Sequence, residues 1–167
     1  MGDCRIGDTA GQVLTTYALG SCIGLSVYDP VAVVGGLLHF VLPDSGIDAG
    51  RGRENPFRFA DTGIPLLLDQ VCARGASKRR LAVHAVGAAR MGQANVFEIG
   101  KRNYLAARRI LWKAGILLSG EAVGGEVPRT VRLEIGSGKV WIHEDGAQRV
   151  LAAAAPRKGD SQWRTAF

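Results

Sequence analysis

Apolar and polar positions alternate from Cys22 to Tyr28, where Ile23, Leu25 and Val27 interleave with Gly24 and Ser26, and again after Asp29-Pro30 through Val34, Gly36, Leu38 and Phe40. Period-two alternation marks a half-buried strand, so two strands joined by a short turn are expected. Asp-Pro suits the head of a type I turn, with the ring of Pro30 fixing φ at the second position, and this places the loop at Asp29 to Ala32. A hairpin closed there pairs Tyr28 with Val33 and, further along, Cys22 with His39. Facing side chains on one side of an antiparallel pair have Cβ atoms about 5 Å apart, within reach of a hydrogen bond between a thiol and an imidazole. The same register gathers Ile23, Leu25, Val27, Val34, Leu38 and Phe40 on the opposite face. A one-residue slip of either strand would scatter that set, and a bulge at Gly35-Gly36 is the local feature that would alter the register.

The same reading gives the rest of the chain a coarse outline. Residues 1 to 12 are glycine-rich and polar, and Gln12 to Thr16 forms a short strand entering a tight Leu19-Gly20-Ser21 turn, where glycine permits the bend and successive backbone N–H groups are exposed. Asp44 to Glu54 has the composition of a mobile loop. Helical spacing of Ala60, Ile64, Leu67, Leu68, Val71 and Cys72 predicts a helix that starts at Asp61 or Thr62, so that Pro65 falls in its first turn, and stops at Gly75. Leu81 to Val86 reads as a strand. A second helix spans Gly100 to Ala114, with Tyr104, Ala107, Leu111 and Ala114 on its apolar side and a solvated stripe of Arg102, Arg109 and Lys113 opposite. Ile116 to Ala122, Thr130 to Ile135 and Lys139 to His143 are strands, the last two joined at Gly136-Ser137-Gly138. Strands first, then helices mixed with strands, indicate an α+β domain with helices covering a mostly antiparallel sheet. One domain over residues 1 to 155 is expected, followed by a basic, disordered tail at residues 156 to 167.

Composition narrows the chemistry. A net charge of +6 on 167 residues permits acidic partners without selecting one. Cys4, Cys22 and Cys72 lie far apart with no C-x-x-C pair, which suggests neither a zinc site nor a disulfide framework and fits a reducing cytoplasm. No stretch has the length of apolar sequence that spans a bilayer, so membrane insertion is not expected. The glycine pairs at 35–36 and 124–125 match neither dinucleotide nor phosphate-loop patterns, and no cofactor is implied. A nucleic-acid binder would need a recognised reading motif, and none is present.

A facing cysteine and histidine suit acyl transfer. The imidazole can take the thiol proton, the sulfur can attack an amide carbon, and backbone N–H groups at Gly20, Ser21 and Cys22 can hold the oxyanion. The same histidine then protonates the departing amine and activates water, with a hydroxyl such as Thr16 orienting the ring. Ordinary alternatives stand beside this reading: a cysteine on a strand is usually a small buried hydrophobe. His84 within an apolar strand and His143 near a strand end read as structural, and Cys4 and Cys72 have weaker claims than Cys22.

The order of motifs also carries a resemblance. T-x-x-L-G-S-C at Thr16 to Cys22, then Asp29, then G-G-x-x-H-x-x-L-P at Gly35 to Pro43 resembles the signature of the CheD family of chemoreceptor glutamine deamidases. It continues through F-A-D-T-G-I-P-L-L at Phe59 to Leu67, G-A-A-R-M at Gly87 to Met91, I-G-K-R-N at Ile99 to Asn103, and Gly124-Gly125 with Arg129. The resemblance covers about residues 10 to 143. It implies Cys22 as nucleophile, His39 as base and then acid, and Thr16 as orienting hydroxyl, acting on glutamine side chains of methyl-accepting chemotaxis receptors. It further implies a layered α/β/β sandwich and, in some members, a CheC-type phosphatase partner, so that a weakly catalytic adaptor is the alternative role. The chain departs from the family pattern at His84, where lysine is usual, at Ala88, where a second glycine is usual, and at Pro128-Arg129, where glycine usually precedes the arginine.

Overall fold

The computed structural model describes residues 2–90 and 94–153. Among these, nine strands form two sheets. The first has the order β1 (Asp3–Gly7), β4 (Val34–Phe40), β3 (Ile23–Asp29), β5 (Ala82–Gly87), β6 (Gly120–Val123), and only its β5–β6 pair is parallel. The second has the order β2 (Val13–Leu19), β7 (Arg129–Glu134), β8 (Val140–Glu144), β9 (Ala147–Ala152) and is antiparallel throughout. A short helix α1 (Ala49–Glu54) precedes two long ones, α2 (Ala60–Cys72) and α3 (Ala94–Lys113). No helix among the described residues is long and apolar enough to cross a membrane.

All seven residues of β3 and all seven of β4 are buried, because both faces of these central strands are covered. On one side Ile23, Leu25, Val27, Val34, Leu38 and Phe40 pack with Ile64, Leu67 and Val71 of α2 and Ala107 and Leu111 of α3. On the other, Cys22, Tyr28 and Leu37 pack with Leu19, Val131, Leu133, Val140 and Ile142 of the second sheet. The layers are therefore helix, sheet, sheet, which is the α+β arrangement expected from the sequence. Truncating a fully buried side chain such as Leu25 or Ile64 costs about 2–5 kcal/mol, so each core fixes the sheet between them.

The hairpin register differs from the one expected. Asp29 pairs with Val34, so the loop is Pro30 to Val33 rather than Asp29 to Ala32, and His39 stands opposite Gly24, not Cys22. Asp29 belongs to the strand, and its carboxylate accepts from the N–H groups of Val31 and Ala32, while Val33 closes the loop with a left-handed φ of 56°. Because the shift is two residues, no side chain changes face.

Other elements also depart from the sequence outline. Residues 3–7 form edge strand β1, and residues 147–152 form β9, where no strand was expected. The stretch from Asp44 to Glu54 is structured: Asp44 caps a turn of 3-10 helix at Ser45–Ile47, Asp48 caps α1, and Ser45 bonds the Asp61 carboxylate through both its N–H and its hydroxyl. Helix α2 begins at Ala60 and carries Pro65 inside it, while α3 starts at Ala94 rather than Gly100. The strand expected from Ile116 is shortened to Gly120–Val123. The proposed basic tail lies outside the described residues.

Candidate active site

Three elements meet at the edge of the inter-sheet layer. β4 supplies His39, and the residue facing it across the β3 ladder is Gly24. A Cβ on Gly24 would lie 2.7 Å from Leu19 Cδ1, 3.0 Å from Val131 Cγ1 and 3.3 Å from Thr16 Cγ2, so glycine makes the room in which Thr16 comes down on the imidazole. β2 supplies Thr16. It pairs with Val131, a fully buried inter-sheet residue, and side chains of a facing pair share a face, so Thr16 points inward. Just past it the ladder slips by a bulge between Thr16 and Leu19, with Ala18 at φ 54°. Thr16 Oγ1 and His39 Nδ1 are 2.9 Å apart, while His39 Nε2 is buried and makes no hydrogen bond among the described residues.

Cys22 ends the turn that precedes β3. It is 8% exposed, as is His39, and packs with the inter-sheet cluster, on the same side of the sheet as the imidazole. With Gly24 opposite His39, Cys22 lies on the diagonal, where backbone positions are about 7–8 Å apart and the imidazole is the longer of the two side chains. The turn is held by its carbonyls. Ala89 N–H donates to Gly20 O at 2.8 Å, Ala88 N–H donates to Cys22 O at 2.9 Å, and the Asn103 amide donates to Ser21 O at 3.0 Å. An open cleft of about 680 Å³ between the β1 and β2 edges reaches this region, lined by Asp3, Arg5, Thr15, Thr16, Tyr17 and His39.

Burial dominates the electrostatics. It pushes the Cys22 thiol up, against a lowering from the Arg58 guanidinium, and it pushes the His39 imidazole down, against a raising from Asp3. Both directions favour the uncharged form, thiol for Cys22 and neutral imidazole for His39. Cys4 is a contrast: burial first, then Asp3, push its thiol up to about 12, and it lies opposite Leu38 in the β1–β4 ladder. His84, opposite Ser26 in the β3–β5 ladder, is buried away from this corner. Arg102, Arg109 and Lys113 are exposed.

A family model described as CheD chemotactic sensory transduction matches residues 41–144. A probable chemoreceptor glutamine deamidase CheD of Solibacter usitatus is 66% identical over 158 residues, 94% of each chain. One of Pyrococcus abyssi is 44% identical over 147 residues, covering 86% of this chain and 88% of that one. The chain belongs to the CheD family. The family-model match begins two residues past His39, so the geometry of Thr16, Cys22 and His39 stands as an observation independent of it.

Three residues at this corner had no role assigned from the sequence. Arg58 brings a positive charge to bear on Cys22 from the turn at Pro56–Arg58. Arg129 is buried, donates to Gly87 O and Gly124 O, and is paired with Glu144, thereby bracing the strand end beside Cys22. Asn103 has no exposed surface. Four residues before Ala107, it sits on the apolar stripe of α3, and an uncharged polar residue on a buried stripe is the signal by which it could have been found.

Proposed function

We propose that this chain is a protein-glutamine deamidase, which hydrolyses the side-chain amide of glutamines in methyl-accepting chemotaxis receptors and leaves glutamate and ammonia. The observation that carries this reading is the 2.9 Å contact of Thr16 Oγ1 with His39 Nδ1, which leaves Nε2 unpaired on the side of the sheet where Cys22 lies. The names of the CheD relatives supply the substrate class.

With Nδ1–H donating to Thr16, Nε2 holds the lone pair and serves as base. As Cys22 Sγ attacks the amide carbon, its proton passes to Nε2, and the carbonyl oxygen becomes an oxyanion held by the backbone N–H groups of Ser21 and Cys22, the Gly20 N–H being engaged by Ala18 O. The imidazolium returns that proton to the amide nitrogen, the C–N bond breaks, and ammonia leaves a thioester. Water then loses a proton to Nε2 and attacks the thioester carbon. The C–S bond breaks, glutamate is freed, and the thiolate recovers its proton from the imidazolium. Because burial lowers the imidazole below its ordinary value, the acid limb of kcat/KM is expected below about pH 6.5.

Incubating the protein with purified receptor cytoplasmic fragments and mapping tryptic peptides by mass spectrometry tests the reading. Wild type should convert specific glutamines to glutamates, and Cys22→Ala and His39→Ala should each lower the rate by at least about a thousandfold. Wild-type rates in Cys22→Ala would remove the nucleophile assignment. No conversion by wild type, with retained binding to a CheC-type phosphatase, would favour the adaptor role.

A further inference from the structure

We propose that Asn103 is a positioning residue that fixes the peptide plane between Ser21 and Cys22, and so aims the Cys22 N–H toward the reacting centre. The inference rests on the deamidase reading above, but its first readout does not need a substrate.

Asn103 is a fully buried amide whose two N–H bonds go to two separate chain segments. Asn103 Nδ2 donates to Ser21 O at 3.0 Å and to Val41 O at 2.8 Å. Two carbonyl acceptors on one side decide the amide's orientation, because the flipped form would set Oδ1 against both oxygens. Ser21 immediately precedes Cys22 in the turn, and Val41 follows β4 two residues after His39. One side chain from α3 thus ties the segment carrying the thiol to the segment carrying the imidazole.

A planar trans peptide points its C=O and the following N–H in opposite directions. Holding Ser21 O toward α3 therefore turns the Cys22 N–H away from the helix, to the other side of the turn. Gly20 O and Cys22 O are held by the Ala89 and Ala88 N–H groups, so the orientation of the whole turn is set from its carbonyl side. The Gly20 N–H donates to Ala18 O at 3.0 Å, so the Ser21 and Cys22 N–H groups are the ones this arrangement offers to a developing oxyanion. The Cys22 N–H also favours its own thiolate, as expected if the group faces the sulfur.

The far end of the amide fits a positioning role better than a purely stabilising one. Asn103 Oδ1 is buried and has no hydrogen-bond partner among the described residues. An unpaired buried carbonyl oxygen is costly, and a side chain present only to fill the stripe would be apolar, like Ala107 and Leu111 four and eight residues on. The amide is retained at a position where its two donors meet the active-site turn and the end of the histidine strand.

Rates of Cys22 alkylation by iodoacetamide across pH provide the first test, with thermal unfolding measured alongside. In Asn103→Ala, the alkylation midpoint should move upward by about one pH unit, because the thiolate loses an aimed N–H. On receptor fragments, kcat should fall on the order of 10- to 100-fold with KM within about twofold. Asn103→Ser, which keeps one donor, should lie between Ala and wild type. A folded variant with a wild-type alkylation profile and kcat overturns the inference. Should neither variant fold, hydrogen exchange of the Asn103 side-chain amide in the wild-type protein decides: protection of both protons supports the two hydrogen bonds to Ser21 O and Val41 O, and rapid exchange overturns the inference. If wild type itself fails to deamidate, the alkylation profile still tests Asn103 while the deamidase reading falls separately.

Discussion

The two ring nitrogens of His39 sit in different surroundings, Nδ1 against Thr16 Oγ1 at 2.9 Å and Nε2 buried without a partner. An imidazole with one nitrogen engaged has its tautomer and its ring angle set together, which is what a base needs before it can take a proton along one direction. Removing the hydroxyl at constant shape isolates this effect. Thr16→Val is expected to lower kcat about tenfold or more while changing stability by only about 1 kcal/mol, the usual net worth of one hydrogen bond. Thr16→Ser retains the oxygen and should recover most of the rate. Steady-state kinetics on receptor fragments, with denaturant unfolding alongside, separate the outcomes. Equal rates for Val and Ser would show that the hydroxyl does not orient the ring.

The strand end at Gly87-Ala88 works as an element against which the Cys22 turn is built, and its two residues make opposite demands. Gly87 has φ 119°, and a Cβ there would stand 2.2 Å from Cys22 O, so Gly87→Ala should cost roughly 3 kcal/mol or more and displace the turn. Ala88 has φ 52°, a left-handed conformation that costs an L residue about 1–2 kcal/mol. Ala88→Gly relieves that strain at the expense of about 0.5–1 kcal/mol of chain entropy, so a net gain of up to about 1 kcal/mol is expected. Urea titration of the two variants should show midpoints moving in opposite directions, and a loss in both would contradict the backbone conformation at Ala88. The family pattern, with glycine usual at this second position, agrees with the sense of the change. Elements of this kind were only partly legible. Alternation found β3 and β4 with the correct faces, because the helix-side positions carry Ile23, Leu25, Val27, Leu38 and Phe40 while the inter-sheet positions include the small or polar Gly24, Ser26, Gly35 and His39. The register was missed by two because the loop closes on Val33 in a left-handed conformation, which no β-branched residue signals. β9 was legible and overlooked: Asp145-Gly146, at φ 50° and 74°, is the dipeptide that turns a two-residue hairpin between Glu144 and Ala147. β1 was not legible, since Asp3 and Arg5 face solvent at a sheet edge and only its pairing to β4 makes residues 3–7 a strand.

Across the whole molecule, the layer between the two sheets holds titratable groups that do not face water, and this couples folding to pH. His84 is 5% exposed and stands opposite Ser26, with His84 Nδ1 and Ser26 Oγ both buried and unpartnered among the described residues. Burial holds the imidazoles of both His84 and His39 below their ordinary value, so the folded chain resists protons that the unfolded chain accepts near pH 6.5. Above about pH 6.5 these groups do not alter stability. Below it stability is lost progressively, and the loss levels off only beneath the folded values. Asp29 also loses stability as pH falls, but at lower pH and for a different reason. Burial alone would raise its carboxyl, but the Arg80 guanidinium and the N–H groups of Ser77, Val31 and Ala32 outweigh that and hold it low. Its stabilisation is complete above about pH 3.9 and is lost as pH falls through the lower folded value. Acid unfolding should therefore come in two stages, histidine first and carboxylate second. In His84→Gln, a neutral side chain of similar length, the fall in urea midpoint between about pH 7.5 and pH 5.5 should be smaller than in wild type. The later loss near the carboxylate range should be unchanged, because Asp29 is held by Arg80 and the N–H groups of Ser77, Val31 and Ala32 and not by His84. An equal fall in both proteins over the first window would mean that His84 titrates alike folded and unfolded, and that the polar pair buried between the sheets is open to protons from solvent.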